Sequence, residues 1–117
     1  MQVAKVQVKK EKRLEGLQGL VERIYGEGFA EEFGKLFNSY VGLAIKSAST
    51  AKEFASVLQP LLRKAMVWID VEKVQAVNVE LGKWNEVIVR IHLPTREIKV
   101  TKYGAEILPL EFYTYEG

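Results

Sequence analysis

The residues with the best claim to chemistry are few. His92 is the one histidine, and it stands beside Ile91 with Arg90 just before it. A catalytic histidine needs a partner to orient it and a nucleophile to serve. No motif in the chain supplies either, so His92 reads as a surface or rim histidine on the polar face of a strand. Two further pairs are spaced to share a strand face: Asp70 with Glu72, and Asn78 with Glu80. Paired carboxylates can exchange protons or hold a divalent cation. No metal-loop spacing surrounds them, and a solvated strand face accounts for both. The chain has no cysteine, which removes disulfides, thiolate metal sites and cysteine nucleophiles. With a single histidine, the usual multi-histidine metal sites go too. No cofactor and no metal are expected. Gly26-Glu27-Gly28 lacks the Lys-Ser/Thr of a phosphate loop and precedes Phe29 instead of following a strand.

Cations are the other resource. Lys5, Lys9, Lys10, Lys12 and Arg13 crowd the start of the chain, with Glu11 the one acid among them. Arg23, Lys35, Lys46, Lys52, Arg63 and Lys64 follow. Residues 1–66 hold 11 Lys and Arg against 7 Asp and Glu, whereas residues 67–117 hold 6 against 8. An anionic partner therefore meets the first half first. Phosphate contacts come from such residues and carry no sequence information. The candidates are Lys5, Lys9, Lys10, Lys12, Arg13, Lys46, Lys52, Arg63 and Lys64. A soluble charged tail is the alternative reading of the first five. Exposed aromatics mark partner surfaces. Trp84, Tyr113 and Tyr115 are the candidates for that role; Phe112 alternates to the opposite side and is expected in core or rim packing. Trp68 is placed in or beside the first strand.

Two apolar stripes must position these groups. Phe29, Phe33, Leu36, Phe37, Tyr40, Val41 and Ala44 recur at helical spacing, as do Phe54, Val57, Leu58, Leu61, Leu62 and Ala65. The first predicts a helix over 29–46. Gly34 and Gly42 within it suggest close approach of another helix. The second predicts a helix from about 51 to 66, opened by a Thr50/Glu53 capping box. Pro60 predicts a kink, or a split into 51–58 and 60–66. An earlier helix over 9–25 carries Leu14, Leu17, Leu20, Val21 and Ile24 and is closed by Gly26 and Gly28. Residues 1–8 read as an edge strand or as a lead-in to that helix.

From Val67 the period becomes two. Val67, Ile69 and Val71 alternate with Trp68, Asp70 and Glu72; Val77, Val79 and Leu81 with Asn78 and Glu80; Val87, Val89, Ile91 and Leu93 with Ile88, Arg90 and His92; Ile98 and Val100 with Glu97, Lys99 and Thr101. Turns fall at 82–85, 94–95 and 103–104, and a last strand covers roughly 106–114 with Pro109 at an edge. Short turns imply an antiparallel meander, and alternation implies one covered face. The fold class is α+β: three N-terminal helices (helical half about 9–66) packed on a C-terminal antiparallel meander of three to five strands (β half about 67–115).

At 117 residues with 48% hydrophobic and 27% charged residues, the chain suits a single domain spanning 1–117 with one modest core. No apolar run reaches the roughly 18 residues of a membrane span. The first residues resemble neither a secretory signal nor an anchor, so a cytoplasmic location is the expectation. Charge dominated by Lys and Glu is compatible with a heat-adapted source.

The layout, a mildly basic helical half (14–66) followed by a β half (67–115), resembles the small accessory subunit of archaeal type I-A CRISPR surveillance complexes. The resemblance implies a non-enzymatic role in antiviral defence, lining a guide-RNA or target-DNA assembly. It rests on organisation over most of the chain, and no functional residue is carried over from it.

These readings converge on a non-catalytic accessory or scaffold subunit. It would associate with itself or with a nucleoprotein assembly and touch RNA or DNA phosphate through the basic helical half. Protein partners or a homo-oligomer are expected, and no membrane. The alternative is a small module binding an apolar ligand between helices and sheet, or a homo-oligomer without nucleic acid. A winged helix, with 50–66 as its recognition helix, fits less well because Pro60 interrupts that helix.

Overall fold

The computed structural model describes residues 19–109. The N-terminal cations Lys5 to Arg13, the helix start before residue 19, and Phe112, Tyr113 and Tyr115 lie outside the described residues. The described chain is α+β, with helices first and then a four-stranded antiparallel sheet in the order β1-β2-β3-β4.

A helical stretch, α1, covers residues 19–25. It stops where expected. Gly26 has φ of 110° and Gly28 of 78°, conformations a side chain resists. Gly28 then serves as the N-cap of α2 (Phe29–Ser47). That helix buries Ala30, Phe33, Phe37, Val41 and Ala44, steps of three and four that make one stripe. The predicted helix-to-helix approach at its glycines does not occur. A side chain at Gly34 would touch Lys102 in a strand turn, and one at Gly42 would meet no neighbouring element among the described residues within 4 Å.

α3 (Ala51–Lys64) begins at a cap, with the Glu53 N–H donating to Thr50 Oγ1 at 3.1 Å. The Glu53 carboxylate reaches back one residue further than expected, accepting from the Ser49 N–H at 3.0 Å. One helix runs through Pro60, in place of two short ones. Pro60 is exposed, so the carbonyl it leaves unpaired one turn earlier can bond water. The buried stripe is Ala55, Leu58, Leu61 and Leu62.

Residues 67–70 alternate buried and exposed but form no strand, and Val71–Lys73 make a single 3-10 turn. The expected strand here is therefore absent. The Asp70 carboxylate accepts from the Glu72 N–H at 3.1 Å and thereby closes the turn, so these two acids do not share a strand face. The strands are β1 (Ala76–Leu81), β2 (Val87–His92), β3 (Arg96–Thr101) and β4 (Gly104–Pro109). Pro109 does lie on an edge strand, paired across from Arg96.

α2 and α3 pack on each other and on one face of the sheet, α3 reaching β1 and α2 reaching β4. Beneath them lie Val89, Ile91, Ile98 and Val100, all 0% exposed. Burying each such side chain contributes about 1.5–3 kcal/mol. This inner face is the core.

Candidate functional site

Alternation along the strands puts Asn78, Glu80, Arg90, His92, Glu97 and Lys99 on the outer face, away from α2 and α3. Five of these form one chain of polar contacts across three strands. Arg90 Nε donates to Glu80 Oε1 at 2.6 Å and its Nη1 to Glu97 Oε2 at 2.8 Å. The other Glu97 oxygen lies 3.2 Å from His92 Nδ1. His92 Nε2 lies 3.1 Å from Asn78 Nδ2. Glu97 is buried, only 4% exposed. A buried carboxylate is costly unless charge and hydrogen bonds meet it, and here Arg90 and His92 do so. Arg90 in turn is held above its ordinary pKa, chiefly by its hydrogen bond to Glu80 and then by that to Glu97. It remains a cation throughout the accessible pH range. Both His92 nitrogens are engaged, one by Glu97 and one by Asn78, which makes the ring a brace between strands. Among the described residues, no group of three or more His, Asp or Glu is placed to hold a metal ion.

The far end of the same outer face is different. There α1 and the β1–β2 turn wall a cleft of about 560 Å³. Leu20, Val21, Ile24 and Tyr25 come from α1, Trp84 and Glu86 from the turn, and Ile88 and Lys99 from the strands. The apolar stripe expected to bury α1 against the core thus opens on this cleft: Leu20 is 45% and Ile24 62% exposed. The cleft depends on the turn's shape. Asn85 takes φ of 61°, and the Glu86 carboxylate folds over Gly82 so closely that any side chain at 82 would overlap it.

The cations predicted to touch phosphate divide into two groups along α3. Lys46 ends α2 and Lys52 opens α3, while Arg63 and Lys64 close α3. At 1.5 Å per residue, Lys52 and Arg63 stand about 16 Å apart. Lys52 pairs with Glu72 at 3.5 Å and Lys64 with Glu32 at 2.8 Å. The hydrogen bond from Lys64, and then its charge, hold the Glu32 pKa below the ordinary value. Arg63 lies over the Trp68 ring, 4.7 Å from its centroid, and Arg96 Nη2 donates to the Trp68 carbonyl at 3.4 Å. Trp68 itself is 65% exposed. Trp84 is half-buried, in the cleft wall.

The borders of the sheet carry a signal that composition concealed. Val79 and Leu81 lie on the helix-facing side of β1, yet they are 43% and 68% exposed. The two helices cover the middle strands and leave this stretch of the border bare. Sequence reasoning missed Val79, Leu81, Glu97 and Lys99 as site residues, because alternation assigns each a face but not its cover.

Compared with models of protein families, with curated proteins and with solved structures, the chain matches none.

Proposed function

We propose that the protein is a non-catalytic accessory or scaffold subunit that works by association, either with itself or inside a nucleoprotein assembly. The reading takes the chain as one unit of three helices on a meander, working in the cytoplasm. The observation that carries it is the β1 border. Among the described residues β1 has no partner on its outer side. Its sequence, AVNVEL, has no proline, no lysine and no glycine to discourage pairing. Val79 and Leu81 add apolar surface beside that free backbone. A neighbouring strand would satisfy the open N–H and C=O groups and cover both side chains.

Nucleic acid is the second contact in this reading. Lys46, Lys52, Arg63 and Lys64 are exposed, and the basic arm Lys5, Lys9, Lys10, Lys12 and Arg13 would join them. The ion pairs that Lys52 and Lys64 make lie in solvent, where water and salt screen them, so a phosphate can displace them at little cost. This is the form in which the small-subunit resemblance to CRISPR complexes enters.

Light scattering tests the first contact. Wild-type protein should size above a monomer, and Val79→Lys should return it to monomer mass with its far-UV spectrum intact. A wild-type monomer at every soluble concentration removes the self-association form of the proposal. Adding short single-stranded RNA tests the second. Replacing Lys46, Lys52, Arg63 and Lys64 by Ala should weaken binding and flatten its dependence on salt. An unchanged salt slope removes the phosphate role.

A further inference from the structure

We infer that the cleft between α1 and the outer sheet face is a binding site for a small apolar carboxylic acid, of the size of one or two rings. Its volume of about 560 Å³ falls within the roughly 300–1,000 Å³ of small-ligand sites. The walls are apolar and aromatic, with Leu20 and Ile24 holding large exposed surface toward it. A ring seated between them and Trp84 would remove that surface from water.

The polar groups give the ligand its chemistry. Lys99 lies in the floor, half-buried. Its cross-strand neighbour Arg90 takes both nearby acids, Glu80 and Glu97. Lys99 makes no ion pair among the described residues, although Glu106 sits directly across from it on β4. Glu80 and Glu97 are held by Arg90, and Glu106 stands exposed to solvent, so this half-buried ammonium is complementary to an anion brought from outside. Glu86 supplies a second feature. Its Oε2 is buried and has no donor among the described residues, so a hydroxyl or amide on the ligand would supply one. This inference stands apart from the β1 border, and ligand binding neither needs nor reports association.

The test uses the full chain carrying Trp68→Phe. Trp84 is then the sole tryptophan, since the protein has two, and its emission reports on the cleft. The probe is 1-naphthoate, compared with the neutral 1-naphthalenemethanol. Naphthoate should quench Trp84 saturably and more tightly than the alcohol. Lys99→Gln should weaken naphthoate about tenfold, the worth of one charge-assisted contact, and leave the alcohol unchanged. Lys99→Arg should restore most of the difference. Thermal melts of each variant separate loss of the site from loss of the fold. The proposal is overturned if quenching fails to saturate in a folded protein. It is equally overturned if acid and alcohol bind alike with Lys99 and with Gln.

Discussion

The two faces of one sheet are built on opposite principles. The inner face is dry and made of Val89, Ile91, Ile98 and Val100 under two helices. The outer face is braced by a chain of charge and hydrogen bonds from Glu80 through Arg90 and Glu97 to His92 and Asn78. Both have the same period in sequence. The inner one gains stability by removing apolar area from water, which is additive and indifferent to partner identity. The outer one depends on each polar group finding its counterpart, so removing one member strands the rest. At the β1 border the two schemes part. Val79 and Leu81 belong to the inner pattern but lie past the reach of its helices.

The largest expected effect is on the inner face. Leu61→Ala or Ile98→Ala should cost about 2–5 kcal/mol of unfolding free energy by urea titration, because both side chains are 0% exposed and each leaves a cavity. A cost below 1 kcal/mol would mean that the helix layer does not pack as described. Next comes the brace. Glu97→Ala should cost about 1–3 kcal/mol, discounted because the Arg90 side chain is 27% exposed and water can screen it. A double-mutant cycle between Glu97 and Arg90 should show coupling of about 0.5–3 kcal/mol. Strict additivity would reduce the brace to two independent side chains.

A comparison off the sheet calibrates both. Thr50→Ala removes the α3 cap and should cost about 1 kcal/mol, less than either face. The smallest effect concerns pH. Lys64 holds the Glu32 pKa below its ordinary value, so this pair stabilises the folded state above the unfolded carboxylate range. That contribution is lost as pH falls through the depressed folded value. Lys64→Ala should bring Glu32 back to an ordinary titration by NMR, with little change in the melt. A Glu32 titration indifferent to Lys64 would contradict the contact.

Much of this architecture is legible in the residues. The two helical stripes, the glycine stop at Gly26 and Gly28, the Thr50 cap and the hairpin turns are local signals with local causes. What escaped was what lies over each face. Glu97 alternates like any solvated residue, yet it is buried, with Arg90 and His92 on its carboxylate. Val67 and Ile69 alternate like a strand without becoming one, because the burial pattern is set by α3 and not by a ladder. Leu20 and Ile24 have a core stripe's spacing, and only the position of α1 turns that stripe toward a cleft. Residue types say what a side chain can do; neighbours distant in sequence decide whether it does.

The claim that β1 is the contact border is tested most directly by hydrogen exchange at residues 76–81 and 104–109, followed as protein concentration is raised. Protection in β1 should climb with concentration while β4 stays constant, and Val79→Lys should abolish the climb. Exchange in β1 that ignores concentration, both alone and with single-stranded RNA present, would contradict the account.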